Sequence, residues 1–226
     1  MPYRRTENVV RRLATRQGAI LAAARAYAAE RGMAAVQIAS VAARAGIAAG
    51  TVYRYFPAKT DLVAALVASV SDDEIGALRR AADAAPGPLS ALAAAIATFA
   101  SRARAQPRLA WAVLGEPVDP RTEGARRAYR KVLAAELETR IERAVAGGYL
   151  PAQNARLSAA AMVGSLIEAL TGPLAFDGPN GNRDAADPLT LFVLRGLGLA
   201  DARARGLVAS QRTNYGRSER LKTDES

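Results

Sequence analysis

VQIASVAARAGIAAGTVYRYFPAK, residues 36–59, holds two short helical stretches on either side of one glycine. In the first stretch Ile38, Val41, Ala42 and Ala45 recur at helical spacing and share one face. Gly46 follows, where a helix end often needs a residue tolerant of φ > 0. The second stretch starts near Ala48 and turns Val52 inward with Tyr55 or Phe56. Pro57 ends it, because proline has no N–H and disfavours helix in the residue before it. Two helices this short do not persist alone in water, so a third must support them. Ala42 suits a steep crossing over a three-residue corner, where a larger side chain has no room. The pattern is that of a helix-turn-helix.

The outward side of the second stretch carries the chemistry. Gly50 permits close backbone approach, Thr51, Tyr53, Arg54 and Tyr55 offer hydroxyls and a guanidinium, and Lys59 opens the next helix. With Gln37 and Arg44 they form the candidate contact set for double-stranded DNA. In such modules phosphate contacts set the position and a few groove-facing side chains read base edges. The competing reading is an ordinary helical hairpin whose aromatics only pack.

The run Val41-Ala42-x-x-Ala45-Gly46-Ile47-x-x-Gly50-Thr51-Val52-Tyr53-x-Tyr55-Phe56-x-x-Lys59-x-x-Leu62 resembles the DNA-binding signature of TetR/AcrR-type bacterial regulators. Upstream, Ile20-Leu21-x-Ala23-Ala24 and Glu30-x-Gly32 are similar to that family's first helix and the turn after it, so the resemblance spans about residues 13–67. It implies a second helix from about Gln37 and a recognition helix from about Ala48. Gly50, Thr51, Tyr53 and Tyr55 then stand at DNA-facing positions, and Lys59 at the position that grips a phosphate. Three departures bear on readout. Gln37 replaces the usual Thr or Ser, Ala48 replaces a capping Ser, and Ala39 stands where some members carry a base-reading arginine. The small polar repertoire predicts modest direct readout, with shape and phosphate contacts carrying more.

Charge follows the same division. Residues 1–60 carry ten Lys/Arg against two Asp/Glu, whereas residues 61–200 carry fifteen of each and the last 26 carry six against four. The overall +10 therefore sits mainly on the helix-turn-helix side, where it attracts phosphate whatever the sequence. Arg4, Arg5, Arg11 and Arg12 read as a flexible basic arm over residues 1–12. The chain has no Cys and no His, which removes disulfides, thiolate and Ser-His chemistry, and the usual zinc sites. Glu116 and Asp119 form a carboxylate pair without the partners of a catalytic dyad, so no enzyme and no cofactor or metal is expected. No signal peptide is visible, and the longest uncharged stretch, 84–101, contains Pro86, Gly87 and Pro88, a poor membrane span. A cytoplasmic bacterial protein with no membrane partner is the expectation.

Beyond Lys59 the punctuation predicts an all-α chain, with helices over about 60–84, 89–105, 107–114, 122–146, 154–171 and 186–200. Residues 176–187 read as a loop. The domains expected are thus a helix-turn-helix unit at 13–60, a helical regulatory and dimerisation unit at 61–200, and a mobile polar tail at 201–226. In that tail Arg212, Arg217, Arg220 and Lys222 offer an extra phosphate anchor. In the 122–146 helix an apolar stripe recurs every four residues, from Ala125 through Tyr129, Leu133, Leu137 and Ile141 to Val145, with Arg126, Arg130, Glu138 and Glu142 outside it. The 154–171 helix is apolar on nearly all sides, and its small residues Ala160, Ala161, Gly164 and Ser165 suit close approach of another helix. With the last helix they predict a homodimer with a four-helix interface; the competing reading is a central core helix within a monomer. Candidates for a small-molecule effector pocket, apolar or amphipathic in its ligand, are Phe99, Trp111, Leu114, Tyr129, Leu133, Met162 and Leu166, with Glu116, Arg130 and Glu168 as polar contacts.

These features predict a DNA-binding transcriptional regulator with a pseudo-palindromic operator, and the resemblance implies a repressor released by a ligand. The alternatives are a sequence-independent architectural DNA-binding protein and, from another class, a helical-bundle enzyme or lipid carrier.

Overall fold

The computed structural model describes residues 3–172 and 186–211, and all regular structure within them is helical. In chain order the helices are α1 Tyr3–Arg31, a 3-10 turn Met33–Ala35, α2 Ile38–Arg44, α3 Ala49–Tyr55, α4 Lys59–Asp83, α5 Pro88–Ala105, α6 Pro107–Leu114, α7 Pro120–Ala146, α8 Ala155–Thr171 and α9 Ala186–Gly196. A further helix, α10, covers residues 201–211. The expected loop 176–187 lies almost wholly outside the described residues, as do Arg212, Arg217, Arg220 and Lys222.

Two expectations for the chain ends are corrected. Residues 3–12, read as a flexible arm, are the opening turns of α1. No proline interrupts the chain from Tyr3 to Arg31, so helix can propagate backwards from the packed half. Residues 201–211, read as the start of a mobile tail, are helical because Ala204, Val208 and Gln211 return at helical spacing and are buried.

Packing groups the chain into two compact units along lines other than a cut at residue 60. Of the described residues, 3–72 and 106–129 form the first, and 73–105, 130–172 and 186–211 the second. In the first unit α1 packs on α2, on the 3-10 turn and on α6, and α2 packs on α3. Its core centres on Ile20, Val36, Val41, Val52 and Leu62, each with no exposed surface. Full burial stabilises by about 1.5–3 kcal/mol for each such side chain. This is the third-helix support that α2 and α3 require.

In the second unit α5 is the central helix, and every residue from Leu92 to Ala100 is buried. Five of those nine are alanine, which lets α8 and α9 pack on it. The helix buried on all sides is thus α5. In contrast, α8 leaves Leu157, Ala160, Ala161, Gly164 and Glu168 exposed along one side. Its N-terminus is capped: the Asn154 side chain accepts the Leu157 N–H at 3.0 Å.

Helix α7 corrects the stripe. Tyr129, Leu133, Leu137 and Ile141 are buried, but Val145 is only half-buried, while Thr122, Arg126, Arg140 and Ala144 are inside. Each step of four residues overshoots a 3.6-residue turn by about 40°, so a strict fourth-residue series rotates off the core at both ends. Arg126, expected outside, is 3% exposed.

The start of α7 is held by Asp119. Its carboxylate accepts the N–H of Arg121 at 3.0 Å, the N–H of Thr122 at 3.1 Å and the Thr122 hydroxyl at 2.7 Å. The hydroxyl first, then these amides, hold its carboxyl below the ordinary range against the opposing effect of burial. A depressed carboxylate pKa contributes stability above the unfolded value, about 3.9, that is lost as pH falls through the folded one. Asp119→Ala is expected to lower the unfolding free energy by about 1 kcal/mol at pH 7. The gap from the parent should narrow in urea melts as pH falls from about 5 toward about 2, and a gap of equal size at pH 7 and pH 2 would contradict this capping role.

Candidate nucleic-acid interface

The corner between α2 and α3 is built as the sequence suggests. Gly46 has φ +65, the Gly46 N–H donates to the Ala43 carbonyl at 3.2 Å, and the Ile47 N–H donates to the Ala42 carbonyl at 3.0 Å. This is the Schellman pair of hydrogen bonds, which satisfies carbonyls left over at a helix end and calls for a left-handed residue between them. Ala42 is 2% exposed beneath the corner. Gln37 is the N-cap of α2 in extended conformation, but its side chain does not cap; its Nε2 donates to the Ala34 carbonyl at 3.0 Å.

Helix α3 is fixed by Val52, fully buried, with Phe56 buried just past its end. Around that anchor Gly50, Tyr53 and Arg54 are exposed, and Thr51 and Tyr55 are half-buried. A Cβ at Gly50 would meet nothing within 4 Å, so the fold itself places no demand for glycine there. Lys59 Nζ donates to the Ala34 carbonyl at 3.3 Å, which puts its ammonium beside the 3-10 turn in the same unit. All eight candidates are thus at least partly accessible polar groups or an open glycine. Arg44 is different. It makes a two-pronged pair with Glu30, at 3.0 and 2.5 Å, and its guanidinium lies 4.6 Å from the centre of the Tyr27 ring. That hydrogen bond also holds the Glu30 carboxyl below its ordinary range. Its charge is already matched within the chain.

Ala48 is the N-cap of α3, with φ −68 and ψ 143 and no side-chain acceptor for the free N–H groups. Ala48→Ser is therefore expected to stabilise α3 by about 1 kcal/mol. Thermal melting and DNA titration of the variant check it; a flat or lower melting temperature would mean that the helix start lies elsewhere.

Sequence reasoning missed what backs this surface. The Glu116 carboxylate accepts the N–H groups of Met33 and Ala34, at 2.7 and 3.0 Å, and covers Gly32, where a Cβ would lie 3.1 Å from its oxygen. Gly32 has φ +85, so both space and conformation favour glycine there. Arg108 donates to the Glu30 carbonyl. Glu116 and Asp119, weighed above as a carboxylate pair, are each committed to backbone amides. The exposed length of α1 was also missed: residues 9–19 are exposed on every side, with Val9, Val10 and Leu13 uncovered among Arg11, Arg12 and Arg16.

The effector candidates fall in both units. Trp111, Leu114, Glu116 and Tyr129 belong to the first, and Phe99, Arg130, Leu133, Met162, Leu166 and Glu168 to the second. Leu114, Tyr129, Phe99, Leu133, Met162 and Leu166 are buried, Trp111 is 39% exposed, and Glu168 is exposed. Of the interface candidates, Ala160, Ala161 and Gly164 are exposed and Ser165 half-buried, its hydroxyl donating to the Met162 carbonyl at 3.0 Å. Among the described residues no group of three or more acidic side chains can hold a metal ion, and no helix is long and apolar enough to cross a membrane.

Residues 20–66 match the family model described as bacterial regulatory proteins, tetR family. No curated protein matches the chain. Among solved structures, the fatty acid degradation regulator FadR from Bacillus halodurans is similar with a TM-score of 0.68 at 22% identity, over 80% of this chain and 98% of that one. FadR from Bacillus subtilis, in complex with stearoyl-CoA, gives 0.68 at 20% identity over 79% and 97%. A TetR/AcrR-family regulator from Thermobifida fusca gives 0.62 at 20% identity over 80% and 98%. At these identities the likeness is one of fold, and the fold is that of TetR-like regulators.

Proposed function

We propose that this chain, whose residues 20–66 form a tetR-type helix-turn-helix domain, is a DNA-binding transcriptional regulator that works as a homodimer and is released from its operator by a small molecule. The observation that carries the reading is α3. It exposes Gly50, Tyr53 and Arg54 around a fully buried Val52, so a short rigid helix offers an open backbone and polar tips to a groove. The excess of positive charge on residues 1–60 adds sequence-independent attraction. The exposed basic half of α1, in the same unit, adds to it.

Dimerisation is supported by α8 and α9. Leu157 is 68% and Phe192 62% exposed, and the small residues Ala160, Ala161 and Gly164 leave room for a second helix backbone. A two-fold pair sets recognition helices about one DNA turn or more apart, so the operator is a pseudo-palindrome. A small-molecule effector is the reading suggested by the stearoyl-CoA bound to the FadR of Bacillus subtilis. An effector must bind the DNA-free arrangement more tightly than the DNA-bound one to cause release.

Selection of bound sequences from a random DNA pool tests the reading. Recovery of an inverted repeat with fixed spacing is the expected result. Enrichment of nothing, with all duplexes bound equally and binding lost steeply in salt, would instead identify an architectural DNA-binding protein.

A further inference from the structure

A cleft of about 280 Å³ opens in the second unit, lined by Ala82, Asp83, Ala85, Gly87, Pro88, Ala91, Arg140 and Arg143. It holds none of the effector candidates read from the sequence. We propose that this cleft is a binding site for a small organic anion, a carboxylate or phosphate group on a short apolar body.

The first ground is Arg140. It is 6% exposed and lines the cleft, yet its buried Nε has no hydrogen-bond partner. Its other nitrogens are only loosely held: Nη1 lies 3.2 Å from the Glu136 carboxylate, and Nη2 lies 3.5 Å from Asp83, which is 72% exposed. Glu136 also pairs with Arg79. A buried guanidinium with an idle N–H leaves part of its desolvation unmatched, and negative charge in the cleft that this residue lines would offset its positive charge.

The second ground is independent. Helix α5 begins at Pro88 with no acidic residue in its first turn, and Gly87 ahead of it has no side chain to cap Leu89 or Ser90. The positive end of an 18-residue helix thus opens at the cleft wall. Arg143 lies exposed on the cleft with no ion-pair partner among the described residues. The charged lining is two arginines against Asp83 alone.

Ala82, Ala85, Pro88 and Ala91 supply the apolar wall. The volume is about nine times the ~30 Å³ a water occupies in the liquid. It falls just under the ~300–1,000 Å³ of drug-sized sites, so the ligand is small.

The full chain labelled with ¹⁵N tests this through the Arg140 Nε–H resonance. Titrants are hexanoate, hexyl phosphate, inorganic phosphate and hexanol, at ionic strength matched with chloride. The resonance is expected to move saturably with hexanoate or hexyl phosphate, more tightly than with inorganic phosphate; the tighter of the two names the acid group. Arg143→Gln, an exposed change, should weaken that binding about tenfold. Lys59→Ala, which alters the DNA-facing candidates, should leave it unchanged. A resonance indifferent to every titrant, moved equally by hexanol or chloride, or insensitive to Arg143→Gln, would overturn the proposal.

Discussion

Arg126→Leu is expected to destabilise the protein by about 3 kcal/mol or more. The Arg126 guanidinium, 3% exposed, donates Nε to the Val113 carbonyl at 2.8 Å, Nη2 to the Ala112 carbonyl at 2.6 Å, and Nη1 to the Glu116 carbonyl. These oxygens belong to the end of α6 and the turn after it, where helix carbonyls lack intrahelical donors and carry partial negative charge. One fixed planar fork serves all three. Leucine fills much of the space and leaves the three acceptors without it, at about 1–3 kcal/mol for a fully orphaned buried group. Arg126→Lys should recover only part of the loss, since a single ammonium does not span three divergent carbonyls. Denaturant melts decide the matter: an Arg126→Leu midpoint equal to the parent's would show that the fork is ornamental.

Tyr53→Ala combined with Lys59→Ala is expected to weaken operator binding about a hundredfold and to lower the salt slope by about one. Tyr53 is 53% exposed and Lys59 is half-buried, with its only described bond to the Ala34 carbonyl. Neither side chain supports the core formed by Val52 and Phe56, so the melting temperature should change little. Fluorescence titration with the selected operator at several salt concentrations checks both numbers. Unchanged affinity would move the DNA surface away from α3 and revive the helical enzyme or carrier reading.

The parts of the fold carried by local rules were legible in the sequence. Gly46, Pro57, Pro107 and Asn154 each act through their own backbone or through amides a few residues away, so the helix ends they mark fall where expected. What could not be read depends on partners distant in sequence. Glu116 meets Met33 and Ala34 more than eighty positions away, and nothing near Glu116 announces that pairing. Arg126 was misplaced for a different reason: its charge argued for solvent, whereas the true helical period put it inside, together with Arg140. Counting 122, 126, 129, 133, 137, 140 and 144 in threes and fours finds both arginines on the buried face. The candidate DNA surface was largely legible because its residues sit on one short helix and its flanks. Arg44 was not, because Glu30 and Tyr27 reach it from another helix. The effector candidates were chosen by apolar character alone, which buried packing residues share.

Trp111 is the one tryptophan of the chain. It stands 39% exposed on α6, the short helix that packs on α1 and whose end Arg126 holds. The protein therefore carries a built-in optical probe at a single known address. Excitation selective for tryptophan reports the polarity around α6 alone, undiluted by any second indole. A blue or red shift on adding an effector would record movement of this helix in real time, and quencher access to a ring already partly open would grade it, without a label or an engineered residue.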